Sequence, residues 1–255
     1  EANDAANPGT TGNLKLAHCN DANCAGGDES IQTVDSIGNV GQFTALALDG
    51  SGNPVVSYYD VTNTNLKLLH CSDANCTPGN VSTQTVDNVG ANGSYSSLAL
   101  DAAGNPLISY RDATPGNLDL KLAMLSGGSC IPENVSIQTV DGSDDVGQFT
   151  SLALDAAGNP VISYQNGSND LKLAHCNDAN CAGGNESMQV LDSVGSVGQY
   201  NALVLDPSGN PVISYYDATN GDLKLLHCND ANCTGGDESI QTVDSAGVVG
   251  LYTSL

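Results

Sequence analysis

QFTALALDGSGNPVVSYYDVTNTNLKLLHC, running from Gln42 to Cys71, is the stretch on which the fold turns. Three short runs rich in Val, Leu, Tyr and Phe are separated by two clusters of Gly, Asn, Asp, Thr and Pro, the punctuation of strands and tight turns. The first cluster, Asp49 to Pro54, ends in Gly-Asn-Pro. Gly can take positive φ there, and Pro can only open a strand or sit at its edge, so the chain is expected to reverse as a hairpin. No sustained apolar period of three and four residues runs through it, which argues against a helix.

Moving outward, the same stretch returns along the chain. Leu-Lys-Leu begins at Leu14, Leu66, Leu120, Leu171 and Leu223, in steps of 52, 54, 51 and 52 residues. Asp-x-x-Gly-Asn-Pro begins at Asp49, Asp101, Asp155 and Asp206, after the runs FTALAL, YSSLAL, FTSLAL and YNALVL. In the second copy the strand-like segments are 42–49, 54–60, 66–71 and 82–87. Four antiparallel strands of about six residues, repeated radially about every 40–50 residues, describe the blades of a β-propeller. The first two segments are nearly apolar throughout, as strands covered on both faces should be. The expected fold is all-β, a β-propeller of about five four-stranded blades, with residues 1–255 as a single repeat domain; a β-solenoid is the alternative.

The phase of the copies places two strands of a first blade ahead of four complete blades, with a further first strand starting at Leu251. Residues 1–12, EANDAANPGTTG, lack the V-I-S-Y core expected of that blade's second strand. The blade is expected to be incomplete or completed from elsewhere. Unpaired edges invite pairing with another chain, so self-association by strand sharing, as in a filament or array, is a further expectation.

With 24 Asp and 5 Glu against 5 Lys and 1 Arg, the net charge of −23 excludes binding to nucleic acid or to an anionic membrane. No apolar run is long enough for membrane insertion. Most Asp residues fall in turns, where the side chain hydrogen-bonds its own backbone. The loop from Asp21 to Glu29, with Asp21, Asn23 and Gly26, partly matches a calcium loop, so calcium is a candidate ligand; no other cofactor is indicated.

Eight of the nine cysteines pair in C-[NS]-D-A-N-C as Cys19/Cys24, Cys71/Cys76, Cys176/Cys181 and Cys228/Cys233. Regular even pairs without redox or metal context read as disulfides formed in an oxidising, extracellular or cell-surface compartment. Each would close a small loop at the end of a third strand, as a local staple. Metal binding with His18, His70, His175 and His227 is the rival, disfavoured because successive strand residues point to opposite faces. The third copy has Met124 and Leu125 in place of His-Cys, which leaves Cys130 unpaired. Glycosylation sequons occur at Asn75, Asn80, Asn92, Asn134, Asn166, Asn185 and Asn232.

The string L-A-L-D-x-x-G-N-P-x-I-S-Y-Y-D followed by L-K-L resembles repeats of secreted bacterial and archaeal propellers of the Asp-box or sialidase-like kind. Sialidases hold a carboxylate with an arginine triad, and Arg111 is the single arginine here, so the resemblance implies the fold without that site. A five-bladed count is also similar to tachylectin-type lectins, which bind one sugar per blade. Tyr58, Tyr110, Tyr164 and Tyr215, two of them followed by Tyr59 and Tyr216, are then candidate sugar platforms, although a fixed mid-strand Tyr is more often core. The recurrent His residues are expected to be satisfied interior groups. The lysines of L-K-L are expected to form weak ion pairs with nearby Asp.

Because all copies repeat the same residues, the functional expectation is a non-enzymatic extracellular structural or adhesive protein. A glycan-binding lectin is the alternative, and no catalytic residues are assigned.

Overall fold

In the computed structural model, residues 12–127, 135–143 and 145–255 are described. Residues 1–11, Cys130 and Asn134 lie outside them, as does the question of what completes the first blade. The described residues form eighteen strands in five sheets. β1 (Leu14–His18) and β2 (Ser30–Asp35) make a two-stranded sheet. Four four-stranded sheets follow. The first holds β3 (Val40–Leu48), β4 (Pro54–Asp60), β5 (Asn65–Cys71) and β6 (Val81–Asp87). The second holds β7 (Asn92–Leu100), β8 (Pro106–Asp112), β9 (Leu120–Leu125) and β10 (Val135–Asp141). The third holds β11 (Gln148–Leu154), β12 (Pro160–Gln165), β13 (Leu171–His175) and β14 (Ser187–Asp192). The fourth holds β15 (Gln199–Leu205), β16 (Pro211–Asp217), β17 (Asp222–His227) and β18 (Ser239–Asp244). Every neighbouring pair is antiparallel and sequential, the meander of a propeller blade.

The turns form for the reasons their residues supply. Asp49 Oδ1 accepts the backbone N–H groups of Ser51 and Asn53, and Asp101, Asp155 and Asp206 repeat that arrangement. Each Asp therefore replaces backbone partners across its own hairpin. His70, His175 and His227 reach back to Oδ2 of the same turn Asp, at 3.0, 3.1 and 2.9 Å, beside the side-chain amides of Asn53, Asn159 and Asn210 that donate to it. These histidines are half-buried or exposed rather than interior, a correction that follows from their place at the end of the third strand. His18 instead contacts Asn75.

Blades are joined by contacts that recur at each interface. At or just before the start of the first strand a glycine with positive φ lies against the backbone of the preceding blade's Leu-Lys-Leu. A Cβ on Gly93 would stand 2.8 Å from Leu66 Cα, and one on Gly198 3.0 Å from Leu171 Cα. Gly41, Gly147 and Gly250 make the same approach to Leu14, Leu120 and Leu223.

A second contact is a polar latch. Tyr58, Tyr110, Tyr164 and Tyr215 are fully buried, and each donates its hydroxyl to the Asp ending the previous blade's fourth strand. The acceptors are Asp35, Asp87, Asp141 and Asp192, at 2.6–2.7 Å. These tyrosines are core, not sugar platforms. Burial first, and the adjoining carboxylate second, raise the Tyr58 phenol far above its ordinary range. Lys67 and Lys172 bind the same Asp35 and Asp141 at 2.6 Å, and Lys224 lies between Asp217 (2.9 Å) and Asp192 (3.4 Å). With the carboxylates buried, these are not weak surface pairs, because removing one partner would strand a charge out of water.

The cysteines pair as Cys19–Cys24, Cys71–Cys76, Cys176–Cys181 and Cys228–Cys233, with Cα atoms 4.9–5.1 Å apart. All eight are thus disulfide-bonded, and none offers a thiolate to a metal beside the recurrent His. The bridges close the short local loops expected of them, five residues apart in sequence, and the structure adds two features. First, the second cysteine of each pair lies outside any strand and holds a left-handed backbone, with φ of 46° at Cys24, 47° at Cys76, 46° at Cys181 and 48° at Cys233. The turn that precedes it imposes this: the N–H groups of Cys24, Cys76, Cys181 and Cys233 each reach the carbonyl of the Asp three residues earlier, at 3.2–3.4 Å. Second, the four bridges are not equivalent. Cys71–Cys76, Cys176–Cys181 and Cys228–Cys233 are buried and belong to the apolar clusters of the blade interfaces, whereas Cys19 is half-buried and Cys24 exposed. Three bridges therefore contribute packing as well as loop closure, which their spacing does not reveal.

Asn92 is fully buried and donates to the Val89 carbonyl, so that sequon is closed to a glycan in the folded chain. Asn75, Asn80, Asn185 and Asn232 are exposed, and Asn166 is half-buried.

Candidate functional site: an aromatic collar on the ring axis

The innermost strands carry a feature that the sequence patterns display without assigning. In the β3–β4 ladder the pairing slips between Gln42 and Ala45, leaving Phe43 and Thr44 in a bulge. The slip returns between Ser94 and Ser97, Gln148 and Ser151, and Gln199 and Ala202. A bulge re-aims the side chains it contains. Phe43, Tyr95, Phe149, Tyr200 and Tyr252 all have φ between 51° and 56°, a conformation that aromatic residues rarely hold unless packing enforces it.

Together they form a collar. Ring centroids of Phe43 and Tyr95, Tyr95 and Phe149, and Phe149 and Tyr200 lie 4.6, 4.6 and 4.7 Å apart, and Tyr200 and Tyr252 lie 4.4 Å apart. Tilts of 46–59° keep each ring overlapping its neighbour without a face-to-face sandwich. The residue after four of the five aromatics supplies a bond that ties down the preceding blade's bulge or, for Thr253, the Tyr200 carbonyl. Ser96 Oγ donates to the Phe43 carbonyl (2.8 Å), Thr150 Oγ1 to Tyr95 (2.6 Å), Asn201 Nδ2 to Phe149 (2.6 Å) and Thr253 Oγ1 to Tyr200 (2.5 Å). The rings and these polar groups line a cavity of about 230 Å³.

Beside the collar stands a position that differs from blade to blade. Tyr59, Arg111, Gln165 and Tyr216 follow the buried tyrosines and pair with the residue that precedes the bulge. Tyr59 approaches Phe43 with centroids 6.2 Å apart, and Tyr216 approaches Tyr200 at 6.4 Å. Arg111 bonds Asp145 at 2.6 Å, and Gln165 donates to the Val197 carbonyl. The site therefore offers aromatic faces, hydroxyls, one amide and one ion pair at its edge. Sugars are bound by such a mixture, since their C–H faces stack on rings and their hydroxyls take hydrogen bonds. The detectable signal is the fivefold recurrence of Gly-x-[Phe/Tyr]-[Thr/Ser/Asn], at Gly41, Gly93, Gly147, Gly198 and Gly250.

Two acidic residues away from the collar are pushed in opposite directions. Burial, then the charge of Asp112, raises the Asp119 carboxyl. Burial also works against ionised Asp112, yet its bonds to Lys121 and Thr114 hold it below the usual range. Both are buried. In the candidate calcium loop, Asp21 Oδ1 accepts the N–H groups of Asn23 and Ala25, which accounts for that residue as a turn former. Among the described residues no group of three or more His, Cys, Asp or Glu is arranged to hold a metal ion, and no helix is long and apolar enough to cross a membrane.

No family model matches the chain, and no curated relative does. Solved structures share its fold. AofleA from Arthrobotrys oligospora is similar at TM-score 0.61 and 12% identity, over 94% of this chain and 67% of that one. The exo-beta-1,3-galactanase of Phanerochaete chrysosporium, solved with galactose, gives 0.54 and 11%, over 82% of this chain and 51% of its own, so the present chain spans about half its length. The alpha-L-arabinanase of Penicillium chrysogenum, solved with arabinobiose, gives 0.51 and 10%, over 81% and 67%. These likenesses carry the propeller architecture and not kinship with sialidase-like repeats. They also correct the expectation of a non-enzymatic structural or adhesive protein, because carbohydrate-active enzymes are built on this same frame. The physical reason is plain in the site: what repeats identically is turn and core, whereas the positions beside the collar change from Tyr to Arg to Gln, so sameness of the blades does not exclude catalysis. The chain is a β-propeller whose solved structural neighbours include glycan-cleaving enzymes.

Proposed function

We propose that the chain is a carbohydrate-active propeller, glycoside-hydrolase-like in frame, that engages its saccharide over the aromatic collar. The collar itself carries this reading: five aromatic side chains converge on one axis, backed by hydroxyls and an amide, with Tyr59, Arg111 and Tyr216 at its edge. The galactose and arabinobiose in the neighbours' crystals support the substrate class. Asp145, partly exposed and held by Arg111, is the carboxylate we assign to glycosidic chemistry there. Four disulfides support an oxidising, extracellular working place.

Calorimetric titration with galactan and arabinan oligosaccharides, together with reducing-end release in the same samples, tests the proposal. Wild type should bind, and Tyr200→Ala should weaken binding at least severalfold, by about the 0.5–1.5 kcal/mol of a lost aromatic contact or more. Asp145→Asn should keep binding and lose release. Absence of both binding and release, or binding indifferent to Tyr200, would overturn the reading.

A further inference from the structure

Beside the collar, one rung of the inner ladder is chemically unlike the other three. The residue before each bulge pairs with the residue after the buried tyrosine, as Gln42 with Tyr59, Gln148 with Gln165 and Gln199 with Tyr216, but as Ser94 with Arg111 in the second four-stranded sheet. Tyr59 and Tyr216 approach collar rings, and Gln165 donates to the Val197 carbonyl at 2.6 Å. Ser94 and Arg111 are not provided for in this way. Ser94 Oγ and Arg111 Nε are both buried and have no hydrogen-bond partner among the described residues. No buried side-chain atom of the other three rungs is left so.

The two unpartnered atoms lie on one face. Tyr110 turns to the preceding sheet to reach Asp87, so alternation turns Arg111 to the following one, where its Nη2 meets Asp145 Oδ1 at 2.6 Å. Ser94 is the cross-strand neighbour of Arg111 and shares that face. Tyr95 comes next in the chain, its ring 4.6 Å from those of both Phe43 and Phe149. Asp145 is fixed by the backbone around it: its carbonyl accepts the Gly167 N–H, and the Val146 N–H donates to the Leu118 carbonyl. The place reaches the surface, since 17% of the Arg111 side chain and 36% of that of Asp145 are exposed and Ser94 is half-buried.

Buried polar atoms are paired in nearly all folded proteins. Here a nitrogen that can only donate and a hydroxyl stand unpaired on one rung, next to an exposed carboxylate. Resting on the saccharide reading of the collar, we infer that the seam between the second and third four-stranded sheets is its hydroxyl-binding subsite, with Ser94 and Arg111 as specificity-determining residues that take one hydroxyl of the sugar. A hydroxyl has one proton and two lone pairs, so it accepts from Arg111 Nε and bonds Ser94 Oγ, which donates or accepts. An anionic group is disfavoured there, because Asp145 already occupies the guanidinium and the chain carries a charge of −23. The sugar ring then lies against Tyr95 and Phe149 with Asp145 at its edge.

Methyl β-galactoside and methyl α-arabinofuranoside, each with its set of monodeoxy forms, titrated by calorimetry into wild type, Ser94→Ala and Arg111→Lys, test the subsite. Ser94→Ala removes a hydroxyl that has no partner and should leave the melting temperature level or slightly higher, which separates it from a structural defect. Arg111→Lys keeps a cation for Asp145 but lacks Nε. With the parent sugar that wild type binds, each variant should weaken binding about tenfold. One monodeoxy form should weaken wild type by at least as much, and on that form wild type and both variants should bind alike. Variants that bind the parent sugar as wild type does, or that reject the same deoxy form as strongly, would overturn the subsite while leaving a Tyr200-dependent collar intact. A crystal structure of the complex with a water, rather than a sugar oxygen, between Arg111 and Ser94 would do the same. If wild type binds neither sugar, the collar reading itself fails and the subsite with it.

Discussion

Tyr164, Asp141 and Lys172 show how a single residue joins two blades. The hydroxyl and the ammonium share Oδ2 of one carboxylate, both at 2.6 Å, and the phenol is fully buried. A hydrogen bond to a charged group contributes about 1.5–3 kcal/mol, so Tyr164→Phe should lower stability by that amount in urea unfolding with the slope unchanged. The same carboxylates set the acid limit of the fold. Burial raises Asp141, but Lys172, Ser143 and Tyr164 outweigh it and leave the group below 3.8; Asp35 is lowered in the same way by Lys67, Ile37 and Tyr58. His70 and the Asn53 N–H lower Asp49 more strongly still. A depressed folded value means that the unfolded chain binds protons first. The stabilisation is therefore complete above pH about 5 and is lost as pH falls through the unfolded and then the folded values. Asp119, raised by burial, works in the other direction but is one group against many. The melting temperature should hold from neutrality to about pH 5 and then fall steeply; a midpoint still level at pH 3 would contradict this account.

Within the strands, the bulge is the device that makes both the joint and the site. Gly198 has φ of 84° and leaves its missing Cβ 3.0 Å from Leu171 Cα; two residues on, Tyr200 is turned to the axis. Gly198→Ala adds left-handed strain to a backbone collision, and we expect a loss of more than about 2 kcal/mol in chemical unfolding. Gly209, whose φ is 86° but whose Cβ would meet nothing within 4 Å, separates the two causes: Gly209→Ala should cost about 1 kcal/mol from conformation alone. Local chemistry makes these elements readable. The second strand predicted at 54–60 is β4 to the residue, because Gly-Asn-Pro opens it and Asp60 closes it. The first strand, predicted from Gln42, begins at Val40, since the slip at Phe43 and Thr44 is enforced by a bond to a residue 53 positions away. Period alone marks the recurrent Tyr as core, whereas its Asp partner, 23 positions earlier in the preceding blade, is not legible. Likewise the spacing of Cys176 and Cys181 gives the bridge, but not its burial against the neighbouring blade.

At the scale of the molecule, a charge of −23 on one ring sets carboxylates against each other wherever turns crowd one face. Raising ionic strength from about 0.01 M to 0.15 M shortens the screening length from about 30 Å to 8 Å, so added sodium chloride should raise the melting temperature at neutral pH. A fall would mean that the buried Lys–Asp pairs, rather than surface repulsion, dominate the salt response. Period, strand order, hairpin turns and the cysteine pairing were all determined by the sequence alone, because each depends on residues a few positions apart whose backbone preferences act locally. The collar, the closed sequon at Asn92 and the shared carboxylates were decided only by tertiary structure. Phe43, Tyr95, Phe149, Tyr200 and Tyr252 lie more than fifty residues apart and have no reason to meet until the blades close around an axis.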